Sequence, residues 1–104
     1  MNRQDIIVSP QATIGAPYIN SSVAAATELT LPDGTELIEI QSEGDALFLR
    51  YGVNGVVTPC TTVNSQERIQ ADSTRHYTVL KDTRKISIIG ASAATSVHIY
   101  YKTA

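Results

Sequence analysis

The sequence contains few of the residue types that catalytic and metal-binding sites use. Its 104 residues include one cysteine, Cys60, two histidines, His76 and His98, and no tryptophan. A single cysteine excludes an intrachain disulfide and is typical of a chain that folds in a reducing compartment. Zinc sites need clustered cysteine or histidine ligands. The composition therefore argues against a disulfide scaffold and against a zinc site.

Charge is also scarce. Charged residues make up 17 % of the chain, and the formal net charge is −2. About a quarter is typical of globular domains. A nucleic-acid-binding protein would carry a dense basic patch. Five basic residues lie between positions 68 and 85, and we interpret them as solvated loop charges. No apolar run approaches the length of a transmembrane helix, and none follows the N-terminal residues as in a signal peptide. We expect neither a nucleic-acid partner nor a membrane partner.

The chemistry-bearing residues that are present share no motif. Nucleophilic catalysis needs a nucleophile beside a base. A pair formed by Cys60 with His76 or His98 is the remaining arrangement of that kind, but a lone cysteine among threonines is more often a small core residue. The aspartates lie in predicted turns, and the glycines match no phosphate-binding motif. The sequence therefore predicts a non-enzymatic protein with no catalytic residue, cofactor or metal.

The sequence is rich in short segments of alternating polarity. Within residues 36–43, Ile38 and Ile40 alternate with Glu39 and Gln41. A period of two predicts a β-strand with one solvated face. Further strand-like segments occupy residues 23–31, 46–51, 69–71, 76–80, 85–90 and 95–102.

Turn signals separate these segments. Glu43-Gly44-Asp45 joins the segments at 36–43 and 46–51, and this short connection predicts a β-hairpin. We identify no amphipathic helix. Seven or eight short strands, spaced about ten residues apart, predict an all-β fold built as an antiparallel sandwich or a small barrel.

The first 18 residues differ from the rest because prolines and a glycine interrupt them. We expect an N-terminal arm at residues 1–18 and one β domain at residues 19–104. Within the arm, Ile6, Ile7 and Val8 could form a short edge strand. Termini and loops often carry the contacts of a rigid scaffold, so these three residues are candidates for binding a partner.

Two further candidates lie in the β domain. Pro59 interrupts a stretch rich in threonine and valine, which predicts a loop or a broken edge strand because proline cannot donate to a ladder. Tyr100 and Tyr101 are adjacent, so within a strand they face opposite sides, and one of them leaves the core of its own sheet. Exposed tyrosines could stack on sugars, although a buried ring with a wet hydroxyl is common in strands. We take Tyr100 as the contact candidate.

Three short motifs follow one another in the second half of the chain. Arg50-Tyr51-Gly52-Val53-Asn54-Gly55 ends a predicted strand, Thr58-Pro59 lies in the loop after it, and Tyr100-Tyr101 close the last strand. In this order, over residues 36–102, they resemble small β-sandwich structural proteins encoded near the capsid genes of tailed bacteriophages. Those proteins end in a hairpin whose last strand carries the paired tyrosines.

The resemblance implies a jelly-roll-like sandwich that serves as a capsid decoration, or cement, protein. Such a protein would be made in the host cytoplasm, would bind the major capsid protein lattice on the virion surface, and would associate with itself as a dimer or trimer. Exposed edge strands can pair with neighbouring subunits, and many copies on a lattice convert weak contacts into avidity. Two alternatives remain open: a head–tail or tail-associated virion protein, and a carbohydrate-binding module that uses tyrosine platforms.

Overall fold

A computed structural model of the chain describes residues 12–103. These residues form eight β-strands: β1 (Tyr18–Asn20), β2 (Thr27–Thr30), β3 (Leu37–Glu43), β4 (Leu47–Tyr51), β5 (Glu67–Ile69), β6 (Ser73–Thr78), β7 (Lys85–Gly90) and β8 (Ser96–Lys102). No helix occurs between residues 12 and 103, so none there is long and apolar enough to cross a membrane.

The strands form two antiparallel sheets of four. Sheet A has the order β1-β8-β3-β6, and sheet B has the order β2-β7-β4-β5. The two sheets stack as a sandwich, and this strand order is that of an eight-stranded jelly roll, in which most connections cross from one sheet to the other. The predicted fold class, an all-β antiparallel sandwich of the jelly-roll type with seven or eight short strands, is confirmed.

The core lies between the sheets and follows the period-two pattern of the strands. Ile38 and Ile40 of β3 are fully buried, as are Val97 and Ile99 of β8. Sheet B contributes the fully buried residues Leu47, Leu49, Ile69, Ile86 and Ile88. Burying one such side chain stabilises the fold by about 1.5–3 kcal/mol. The alternation of Ile38 and Ile40 with polar neighbours therefore correctly identified the buried face of β3.

The turn Glu43-Gly44-Asp45 does not form a hairpin. β3 pairs with β6 and β8 in sheet A, whereas β4 pairs with β5 and β7 in sheet B. The predicted hairpin is wrong, and the terminal hairpin implied for β7 and β8 is wrong for the same reason. A turn signal shows that the chain reverses, but it does not show whether the next strand pairs with the previous one or crosses to the other sheet.

The described part of the predicted arm lies beside β8. The Ile14 N–H donates to the Tyr101 carbonyl at 2.7 Å, and the Thr103 N–H donates to the Ala12 carbonyl at 2.9 Å. The chain then enters β1, which pairs with the middle of β8. The boundary predicted after residue 18 therefore falls inside a strand of sheet A.

Three connections, residues 31–36, 52–66 and 79–84, meet at one end of the sandwich, which we call the long-loop end. Backbone hydrogen bonds join them there: the Val79 N–H donates to the Glu36 carbonyl at 3.0 Å, and the Asn54 N–H donates to the Asp82 carbonyl at 2.9 Å. β8 also ends here, so Ala12 and Thr103 lie at the same end. The short turns occupy the opposite end.

Candidate interaction surfaces

A network of polar side chains centred on Glu39 occupies the outer face of sheet A. Glu39 Oε1 accepts a hydrogen bond from Lys102 Nζ at 2.6 Å and lies 3.2 Å from His76 Nε2. Gln41 Nε2 donates to Glu39 Oε2 at 2.8 Å. Lys102 belongs to β8 and His76 to β6, the two neighbours of β3. One carboxylate therefore links three strands across the outside of the sheet.

The environment of Glu39 favours its ionised form. Burial by itself would raise the pKa of this carboxyl group, since its side chain is only 16 % exposed. The hydrogen bonds from Lys102 and Gln41 outweigh this effect, and the pKa of Glu39 is lowered overall. Hydrogen bonds to the charged form of a carboxylate act in this direction. The centre of the face is consequently a stable negative charge with matched donors around it.

Tyr100 lies on the same face, opposite Glu39, and His98 lies opposite Gln41. Tyr101 points the other way and is 5 % exposed in the core, which confirms that one of the paired tyrosines leaves the core. His98 Nδ1 is a buried polar atom without a hydrogen-bond partner among the described residues. Both histidines of the chain are thus on the outer face of sheet A.

The outer face of sheet B is covered by part of the 52–66 connection. The Cys60 N–H donates to Ser87 Oγ in β7 at 2.9 Å, and the Arg50 guanidinium in β4 donates to the Asn64 carbonyl at 2.7 Å. Pro59 is exposed on this loop, and its carbonyl accepts a hydrogen bond from the Asn64 amide at 3.1 Å. These contacts hold the loop over the middle strands of the sheet.

Cys60 is fully buried between this loop, to which it belongs, and sheet B. Burial raises the pKa of its thiol, and the thiolate is the nucleophilic form. The histidines lie on the outside of sheet A, with both sheets between them and Cys60. The histidine–cysteine pair considered from the sequence therefore does not form.

A groove of about 410 Å³ lies where the edges of the two sheets meet, between β5 and β6. Its floor is formed by Tyr51 and Tyr77, whose rings meet edge to face with centroids 6.4 Å apart. The Tyr51 hydroxyl lies 3.4 Å from Glu67 Oε2. The pKa of both tyrosines is raised, chiefly by burial and to a lesser extent by the negative charge of Glu67. The ring edges and hydroxyls of this pair are therefore only partly accessible to water.

Exposed apolar side chains form the mouth of this groove. Leu80 is 72 % exposed and Val53 is 57 % exposed, and both line the groove. Neither was identified from the sequence as a contact residue. The argument that identified Tyr100, that adjacent strand residues face opposite sides, also applies to Leu80. Val79 and Leu80 are adjacent, and only Val79 is buried. Two neighbouring apolar residues at the end of a strand cannot both enter the core.

The tyrosines give little support to a sugar-binding surface. Tyr101 belongs to the core, and Tyr18, Tyr51 and Tyr77 pack against it. Stacking on a sugar requires an open ring face, and packed rings do not offer one. Tyr100, half-buried on sheet A, is the one tyrosine that does not pack against the core. The carbohydrate-binding alternative would therefore rest on a single ring.

The candidate residues do not assemble into one site. Tyr100 lies outside sheet A and Pro59 lies on the loop outside sheet B, on opposite sides of the sandwich. The candidate strand at Ile6, Ile7 and Val8 lies outside the described residues. Among residues 12–103, no three His, Cys, Asp or Glu side chains are grouped so that they could hold a metal ion.

No protein-family model and no curated protein matches this chain. Among solved structures, the chain is similar to one described as "Bacillus endospore appendages form a novel family of disulfide-linked pili". The two are 16 % identical, the match covers 100 % of each chain, and the TM-score is 0.42. A likeness this distant assigns neither a family nor a function.

Proposed function

We propose that this chain is a non-enzymatic structural subunit of a tailed-phage virion: a decoration protein that binds the major capsid protein lattice through the outer face of sheet A. The difference between its two outer faces carries the proposal. A loop of the chain itself covers sheet B through Cys60 and Asn64. On sheet A, by contrast, Glu39 is hydrogen-bonded to side chains of the sheet's own strands and not to a covering loop.

The chemistry of sheet A's outer face suits attachment to a protein surface. Four strands about 4.8 Å apart make a broad platform. Lys102 and Gln41 hold Glu39 in place, so a partner need not order these side chains, which reduces the cost of binding. Tyr100 and the 59 % exposed Ile19 add apolar area to the face, and tyrosine is enriched at protein interfaces. A modest affinity for each copy is sufficient when many copies cover a lattice.

Co-sedimentation with expanded phage capsids that lack their decoration protein tests this proposal. We expect the wild-type chain to pellet with the capsids and Tyr100→Asp to remain in the supernatant. Val63→Asp is the matched control, since Val63 is 93 % exposed on the loop over sheet B. Its binding should equal that of the wild type.

Three results would count against the proposal. A wild-type chain that stays in the supernatant argues against capsid binding, and equal binding by both variants argues against sheet A as the contact face. A virion reconstruction that places the chain at the tail would replace decoration with the head–tail alternative.

A further inference from the structure

The groove between β5 and β6 is not filled by any of residues 12–103. Leu80 and Val53 present apolar surface at its mouth. Glu67 and Asp82 line it, and no lysine, arginine or histidine of the described chain does. The groove is therefore suited to an extended segment that carries apolar side chains and one positive charge.

The chain before Ala12 starts at the end of the sandwich where this groove opens. Residues 12–14 run antiparallel to the end of β8, so that Ala12 lies opposite Thr103, beyond the last residue of the strand. The groove is lined by the end of β4, the start of β5, the end of β6 and Leu80. Both features therefore belong to the long-loop end.

Residues 1–11 are long enough to cross a neighbouring molecule, and they carry apolar and cationic side chains that complement the groove. Fully extended, they span up to about 36 Å, and the described molecule measures 36 × 31 × 23 Å. They include Ile6, Ile7 and Val8, which are apolar and β-branched, and Arg3 as their one cationic side chain. Apolar side chains would cover Leu80, and a guanidinium would pair with the carboxylates of the groove.

We propose that the groove binds residues 1–11 of a second copy of this chain, so that two copies pair by exchanging these segments. Ala12, which the segment precedes, and the groove lie at the same end of the molecule. Two copies related by a two-fold axis can therefore each fill the other's groove, which closes the assembly with two identical contacts. This pairing does not depend on capsid binding: a dimer that ignores capsids would retain it and would count only against the proposed virion function.

Disulfide trapping between two differently sized versions of the full-length chain tests the exchange. One version carries Ile7→Cys and the other carries Leu80→Cys. After mixing and mild oxidation, we expect a disulfide-linked heterodimer on a non-reducing gel. Replacing Leu80→Cys with Val63→Cys is the control, because Val63 is equally apolar and more exposed but does not line the groove. The buried Cys60 should give no dimer in the wild type.

Sedimentation of the unmodified chain provides a second readout that does not rely on new cysteines. We expect a dimer that becomes a monomer when residues 1–11 are deleted, and a dissociation constant raised about tenfold or more by Leu80→Asp, as for loss of a buried interface anchor. A wild-type chain that stays monomeric at high concentration would overturn the pairing.

Two trapping results would also overturn the exchange. The first is equal trapping at Leu80 and at Val63. The second is a fast-migrating monomer from a chain carrying both Ile7→Cys and Leu80→Cys, with no heterodimer in the mixture, since the segment would then occupy the groove of its own chain.

Discussion

Tyr51 and Tyr77 meet edge to face although they belong to different sheets. Their ring centroids are 6.4 Å apart and the ring planes are inclined by 75°. Tyr51 ends β4 in sheet B, and Tyr77 lies near the end of β6 in sheet A. The contact therefore joins the two layers on the side where β5 and β6 are edge strands, and it forms the floor of the groove that we assign to a second copy.

The tyrosine contact should appear as a coupling energy. In a double-mutant cycle of Tyr51→Leu and Tyr77→Leu, we expect the two losses of unfolding free energy to differ from additivity by about 1 kcal/mol. Urea unfolding measures each variant. Pairing Tyr51→Leu with Tyr18→Leu is the control, since Tyr18 lies in β1 at the other edge of sheet A, and those two losses should add. Additivity in both cycles would mean that the ring contact contributes nothing of its own.

The network at Glu39 should make stability depend on acid pH. The pKa of Glu39 is lowered in the folded chain, so its contribution is present above the pKa of the unfolded chain, about 4.3, and is lost as the pH falls through the folded value. Lys102→Met removes the closest donor. We expect it to cost about 1–2 kcal/mol at neutral pH and to make the fall in stability below about pH 5 shallower.

Unfolding in urea across a pH series measures both effects of Lys102→Met. The matched control is Lys81→Met, because Lys81 is an exposed lysine of the 79–84 connection and its loss should change stability by less than about 0.5 kcal/mol. A Lys102→Met chain as stable as the control would show that the ion pair with Glu39 contributes no net stability.

Gly90, the last residue of β7, marks a place where the β1–β2 and β7–β8 connections approach the strand closely. A Cβ at this position would lie 2.5 Å from the Val23 carbonyl oxygen and 2.5 Å from Thr95 Cβ. We therefore expect Gly90→Ala to destabilise the fold by about 1–3 kcal/mol through overpacking, measured by thermal unfolding. Gly55→Ala is the comparison, since nothing lies within 4 Å of its added Cβ and only its positive φ is strained. A smaller loss at Gly90 than at Gly55 would contradict the close approach.

Asn64 should control access to Cys60. Its side chain accepts a hydrogen bond from the Thr61 N–H at 2.7 Å and donates to the Pro59 carbonyl at 3.1 Å. Without these bonds the loop should open more often, so we expect Asn64→Ala to speed alkylation of Cys60 by iodoacetamide about tenfold, as for a loss of about 1.4 kcal/mol of local stability. Asn20→Ala, in β1 of the other sheet, should leave the rate unchanged. Equal rates in all three chains would place the controlling motion elsewhere.

The sequence was most informative where a strand has one buried face. The alternation at Ile38 and Ile40 correctly predicted which side chains enter the core, because side chains alternate across a pleated strand. For the same reason, the adjacency of Tyr100 and Tyr101 correctly predicted that one of the two leaves it. Cys60, expected to be a small core residue, is buried, but it lies between its own loop and the outer face of sheet B and not between the two sheets. The residue type of Cys60 predicts that its side chain is buried, but it does not predict which part of the chain covers it.

The sequence did not predict which strands pair. Glu43-Gly44-Asp45 has the chemistry of a hairpin turn, yet it carries the chain from sheet A to sheet B. The groove was hidden for the same reason: Tyr51 and Tyr77 are 26 positions apart, and nothing local to either residue indicates that they touch.

The sequence alone determined that the chain is all-β and which face of its longer strands is buried. It also determined that one cysteine and two histidines, which share no sequence motif, are the chain's only side chains of those types. These properties follow from side-chain type and from a period of two, which are local. Only the tertiary structure decided that both histidines share a face with Glu39 and that a loop covers the outer face of sheet B. It also decided that the groove lies at the same end of the sandwich as Ala12. Those relations depend on which strands pair, and pairing is settled by burying the apolar faces of all eight strands at once.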